Sequence, residues 1–142
     1  MKPQPNHEMP TIPKNLHQLV GLAAGNSMPT AVQRNSFIVN EVPREFQIAA
    51  DVKLLANILN SLLSIVVNNS KHSCIRIIAK EYEDMIFVCV RDNNSGSNYD
   101  VAGNLQQVQQ NAKKMNGNVN ITNMENKFTS IIFNFPNFPV TV

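Results

Sequence analysis

Between Asp51 and Ser70 the chain carries one unbroken helical pattern, and this stretch constrains the fold more than any other. Leu55, Ile58, Leu59, Leu62 and Val66 recur at three- and four-residue steps, and Leu54 and Leu63 widen the stripe. A stripe this broad is buried only against another layer, so the segment is read as the central helix of a core. Asp51 stands where an N-cap belongs, and Asn68-Asn69-Ser70 closes the helix.

The flanking segments supply the second layer. Phe37 and Val39 alternate with polar neighbours, Val42-Pro43 turns the chain, and Phe46 and Ile48 alternate again, which predicts a pair of short strands. Ile75 to Tyr82 and Met85 to Arg91 read as a hairpin around Glu83-Asp84. Asp92 to Asn98 is a concentrated loop signal, after which Leu105, Val108, Ala112 and Met115 return to helical spacing until Asn116-Gly117. Val119 to Ile121 and Ser130 to Phe135 predict a closing hairpin. Upstream, Asn15 caps a short helix with Leu16, Leu19, Val20 and Ala23 on its apolar face, stopped at Gly25-Asn26. The expected architecture is α+β: a two-layer α/β sandwich whose sheet is mixed but mostly antiparallel, with the helices on one face. The expected division is a disordered Pro-rich arm over 1–13 (Pro3, Pro5, Pro10, Pro13), one domain over 14–136 and a tail over 137–142.

Composition narrows the function classes. With 142 residues and 43% hydrophobic content the chain can bury a core without metal or disulfide support. Twelve basic against ten acidic residues give a net charge of +2, too small and scattered for a nucleic-acid or membrane-surface footprint. No uninterrupted apolar run reaches the roughly eighteen residues of a bilayer span, and residues 1–5 have no apolar core of a secretory signal, so a cytoplasmic protein is expected. Cys74 and Cys89 lie in strand-like runs without metal-site spacing and read as buried, reduced thiols. The 21 asparagines supply the polarity that a 15% charged chain otherwise lacks. No Ser/His/Asp spacing, paired acids or phosphate-binding P-loop is present, and His7, His17 and His72 read as surface residues.

Several segments, taken in order, resemble the histidine-kinase-like ATPase family. Ile38 to Asp51 looks like its strand, turn and Asp leading into the N-box helix; Val88 to Gly96 (VCVRDNNSG) looks like the strand ending in D-x-G-x-G; Lys113 to Gly117 looks like the end of its second helix; and Phe133 to Pro136 looks like its last strand. The resemblance covers about 36–136. It implies an ATP or ADP site in which Asp92 accepts a hydrogen bond from the adenine amino group and Gly96 supplies close backbone approach. Asn94 stands at the middle glycine position, where the family carries no side chain, although Asn tolerates left-handed backbone.

The metal end of that implied site is eroded. At family spacing from Asp51, the two N-box Asn positions fall on Ser61 and Ile65, and isoleucine cannot ligate Mg²⁺. A three-residue slip would bring Asn68, Lys71 and His72 into the motif but breaks the register of the apolar stripe. The glycine-rich phosphate turn falls on Ala102-Gly103-Asn104-Leu105, only Ser97 to Val101 remain for a lid, and Tyr99 is the aromatic within it. The nucleotide-contacting positions implied are therefore Asp92, Asn94, Gly96, Gly103, Leu105, Ile65 and Asn68, with no catalytic and no metal-ligating residue.

The resemblance implies a degenerate ATP-binding domain of a bacterial two-component-type signalling system. It would bind ATP or ADP weakly, without Mg²⁺, and act by docking a kinase, a response regulator or a second copy of itself. Two rivals stand beside it: an active ATP-binding module whose partner supplies the phosphoacceptor His, and a small α+β adaptor unrelated to nucleotides.

Overall fold

The computed structural model describes residues 15–93, 102–124 and 128–138. The elements run α1 (Leu16–Gln33), β1 (Phe37–Asn40), α2 (Val52–Asn69), β2 (Cys74–Tyr82), β3 (Met85–Asp92), α3 (Ala102–Lys113), β4 (Asn118–Met124) and β5 (Phe128–Pro136). The five strands form one sheet in the order β1-β2-β3-β5-β4, with β1 parallel to β2 and the other pairs antiparallel. The α+β sandwich with a mixed, mostly antiparallel sheet is thus the architecture found. The 1–13 arm and residues 139–142 lie outside the described residues, as does the turn Glu125-Asn126-Lys127.

The central helix forms as its stripe requires. Asp51 Oδ1 accepts from the backbone N–H of Lys53 and Leu54, and Leu55, Ile58, Leu59, Leu62, Leu63, Ile65 and Val66 are buried. They meet the inward residues of the sheet: Ile75 and Ile77 of β2, Ile86, Val88 and Val90 of β3, and Ile131, Phe133 and Phe135 of β5. At eighteen residues and a mean hydropathy of 1.3, α2 is by length and composition apolar enough to cross a bilayer. The burial of its stripe within this core is what a core helix shows.

Two local expectations are corrected. Helix α1 does not stop at Gly25-Asn26; it runs to Gln33, through Pro29. An interior proline costs about 3 kcal/mol, but Ala23, Ala24, Ser27 and Ala31 are buried along its length, and the Asn26 side chain donates to Asn60 Oδ1 of α2 at 2.9 Å. Tertiary packing overrides the local stop signals. The second strand expected at Phe46–Ile48 is also absent. Its alternation is real, since Ile48 is buried and Gln47 exposed, but its backbone serves other partners. Phe46 O accepts from Leu16 N at 2.8 Å, Gln47 makes an isolated bridge to Asn15 and its carbonyl accepts from Asn137 Nδ2 at 3.5 Å, and β1 pairs instead with β2.

At the other end, Asn137 is bonded into the fold. Its Oδ1 accepts from Ala49 N at 2.8 Å, its Nδ2 donates to Glu81 Oε2 at 2.9 Å, and its N–H donates to Asp84 O at 2.7 Å.

Candidate functional site

Strand β3 alternates Ile86, Val88, Val90 and Asp92 toward the helices, so its last inward position is a carboxylate at the end of an apolar row. Asp92 is 0% exposed. Ser73, also buried, donates its hydroxyl to Asp92 Oδ1. Ser73 N–H in turn donates to Ser36 Oγ at 3.1 Å, which ties the start of β1 to the same polar cluster. Buried Thr129 is the β5 partner of Asp92 in the sheet register. The Ser73 hydroxyl thus gives a hydrogen bond to a group whose unpaired burial would be costly. Ser73 was within reach of the sequence: a two-residue turn at Glu83-Asp84 pairs Tyr82 with Met85 and Ile75 with Asp92, which brings Ser73 alongside.

A cleft of about 470 Å³ opens between α2 and α3, lined by Asn60, Ser61, Ser64, Ile65, Asn68, Gln107 and Val108. Both implied N-box positions, Ser61 and Ile65, face it, and Ile65 is only 5% exposed. Asn68 stands at the rim, exposed, with its amide donating to Ser64 Oγ at 3.2 Å. None of the described lining residues carries a charge. Ile65 belongs to the core cluster, and Leu105 packs, partly buried, against it. Asp92 is not among the described residues of the cleft wall.

Gly103 falls within the first turn of α3, so the implied phosphate turn lies in helical backbone. Asn94 and Gly96, Tyr99, and the lid at Ser97–Val101 lie outside the described residues. No cluster of three or more His, Cys, Asp or Glu able to hold a metal ion occurs among the described residues. Sequence reading missed the Ser36–Ser73–Asp92 chain and the amide-rich wall made by Asn60, Ser64 and Gln107. Asn60 and Ser64 lie one helical turn apart along α2, on the face opposite its apolar stripe.

The arrangement, a five-stranded mixed sheet with α2 packed across it, is shared by solved structures. The nucleotide-free catalytic domain of histidine kinase ThkA superposes with a TM-score of 0.75 at 16% identity, covering 89% of this chain and 96% of that domain. The fold is that of a histidine kinase ATPase domain. Acinetobacter baumannii histidine kinase AdeS matches with a TM-score of 0.75 at 10% identity, over 87% of this chain and 65% of its own. Full-length ShkA in complex with AMPPNP matches at 0.74 and 18% identity, over 89% of this chain but only 31% of that protein. The chain therefore spans about a third of the length of ShkA. No family model and no curated protein matches the sequence, so the histidine kinase ATPase fold is carried by structure and not by residue identity.

Proposed function

We infer that the chain is a degenerate histidine-kinase-like ATP-binding domain of a bacterial two-component-type signalling system, cytoplasmic, acting by protein binding with nucleotide binding weak or lost. The observation that carries this reading is Ile65, buried in the core and facing the cleft at the position where the resemblance implies a magnesium-ligating Asn. Magnesium needs oxygen ligands in octahedral array, and an aliphatic side chain supplies none.

The described cleft wall adds a second argument. A triphosphate is highly charged, and each opposite-charge contact at about 4 Å is worth about 4 kcal/mol at an effective dielectric of about 20. That is roughly a thousandfold in affinity for every contact missing, and no described lining residue offers one. The described lining residues do not fit a magnesium triphosphate. What survives of the site is the buried Asp92 carboxylate, the acceptor that the resemblance assigns to the adenine amino group.

Binding is then the output. By the sheet register, Phe37, Ile78, Tyr82 and Ile132 share the open face of the sheet, and all four are exposed apolar side chains. ThkA is also found in complex with response regulator protein TrrA, in a structure that this chain matches with a TM-score of 0.70 at 15% identity. A kinase, a response regulator or a second copy of this chain is the partner proposed here.

The test is turnover. Incubated with γ-labelled ATP and Mg²⁺, alone and with a phosphoacceptor histidine-kinase dimerisation domain, the chain is expected to release no phosphate and transfer no label above blank. Transfer to the added acceptor would favour the rival reading of an active module served by a partner's histidine.

A further inference from the structure

The sheet register sorts the outward side chains into rows. Ile78 of β2, Cys89 of β3 and Ile132 of β5 are consecutive partners and make an apolar row across the three central strands. Neighbouring strands lie about 4.8 Å apart, so the row spans roughly 10 Å. Ile78 is 41% and Ile132 36% exposed, whereas the core to which α1, α2 and α3 contribute lies behind the sheet. The next outward row on one side pairs Arg76 with Arg91, and the next on the other side pairs Lys80 with Phe87. All three cations are exposed. An apolar strip is thus flanked by positive charge on both sides.

Their existing contacts leave much of that charge unbalanced. Arg76 and Arg91 stand directly opposite each other, a like-charge pairing that disfavours the sheet itself. Arg76 Nη2 donates to Glu41 Oε2 at 2.7 Å, which offsets one cation. Arg91 lies 3.7 Å from the centre of the Phe128 ring, a contact that holds the guanidinium without neutralising it. Neither Arg91 nor Lys80 forms an ion pair among the described residues. No outward position of the described strands carries an acid, and Glu83 and Asp84 stand beyond Tyr82 at the hairpin tip.

We propose that this sheet face docks a protein segment whose apolar ridge is flanked by carboxylates. The docking role rests on the reading that binding is the output of the chain, and it adds the chemistry of the partner. The ridge covers Ile78, Cys89 and Ile132, while carboxylates meet Arg76 and Arg91 on one side and Lys80 on the other. Charge selects this occupant over a second copy, which would bring the three cations against their own kind. Single-stranded nucleic acid would need open rings for its bases to stack on. The central row has none, and the Phe128 ring is already faced by Arg91.

The test titrates the full ¹⁵N-labelled chain with two helical peptides that share one leucine ridge, flanked by glutamates in the first and by lysines in the second. Saturable amide shifts centred on Ile78, Cys89 and Ile132 are expected with the glutamate peptide, weakening as salt is raised, and none with the lysine peptide. Lys80→Gln and Ile78→Thr are each expected to weaken binding at least threefold, with the rest of the spectrum unchanged. Lys80→Gln touches no packing and keeps the test readable if Ile78→Thr does not fold. Oligothymidylate and phosphatidylserine vesicles are titrated in parallel. The samples hold no nucleotide, so a failure here leaves the loss of magnesium-dependent binding standing, and label transfer in the turnover assay leaves the docking face standing. Absence of saturable shifts, equal affinity for the two peptides, tighter binding of the oligonucleotide or the vesicles, or self-association through this face would overturn the proposal.

Discussion

At Asp92 a carboxylate is fully enclosed and takes a hydrogen bond from the equally buried Ser73 hydroxyl. Removing the acceptor leaves that hydroxyl without it, at a cost of about 1–3 kcal/mol, so Asp92→Ala is expected to lower the urea-unfolding free energy by that amount. Asp92→Asn keeps an acceptor oxygen and is expected to cost less than half as much; equal losses would mean that the Ser73 bond contributes nothing. Ile65→Asn is expected to destabilise by a similar 1–3 kcal/mol because an amide enters the core, and a neutral result would contradict the packing role assigned to Ile65. On the open sheet face, burial pushes the Cys89 thiol above its ordinary value of 9.0, against the lowering by a Ser130 hydrogen bond and the Arg91 charge. Because the folded value is raised, that stabilisation is complete below the ordinary thiol range and is lost as pH climbs through the folded value. The fall in stability above about pH 9 is therefore expected to be shallower in Cys89→Ala than in the parent chain. Asp92 and Ile65 were legible as positions from the sequence, and the β2–β3 turn sets Ser73 beside Asp92; Ser36 and Thr129 were not legible, because they join only through the long-range pairings of β1 and β5.

Among the elements, α2 and the β2–β3 hairpin were legible in full, since an N-cap, a stripe and a two-residue turn are local signals. Helix α1 was half legible: its cap and first turns follow from sequence, whereas its passage through Gly25 and Pro29 depends on packing against α2. The strand expected at Phe46–Ile48 failed for the complementary reason, a correct alternation whose hydrogen-bond partners lie elsewhere. The hairpin turn carries Glu83 at φ 50° and Asp84 at φ 64°, a left-handed pair that suits Asn-Gly far better. Asp84→Gly is expected to raise stability by about 0.5–1 kcal/mol in thermal or urea melts, and a loss would contradict the strain assigned to this turn. After α3 the left-handed residue is Asn116, at φ 59°, while Gly117 serves close approach: a Cβ there would stand 2.5 Å from Asn134 O and 3.2 Å from the Phe133 ring. Gly117→Ala is expected to cost about 1–3 kcal/mol by overpacking, measured as a drop in the urea midpoint.

For the whole molecule, the topology brings together a sandwich whose helix-side cleft carries Ile65 where the resemblance implies a metal-ligating amide, and whose described wall bears no charge. One edge of the sheet is guarded by Gln109 of α3, whose amide bonds both the N–H and the C=O of Val119 on β4, so a second strand cannot pair there without displacing it. The class of fold could be read from element order and the likeness to histidine kinase ATPase domains from motif order, but the neutrality of the described cleft wall required knowing which polar residues of α2 and α3 face each other. Loss of magnesium-dependent binding is the claim on which the functional reading stands. Calorimetric titration with ADP, in magnesium and again in chelator, tests it most directly. Weak or undetectable heat, the same in both buffers, is expected; binding that strengthens tenfold or more when magnesium is present would contradict the loss of magnesium-dependent binding.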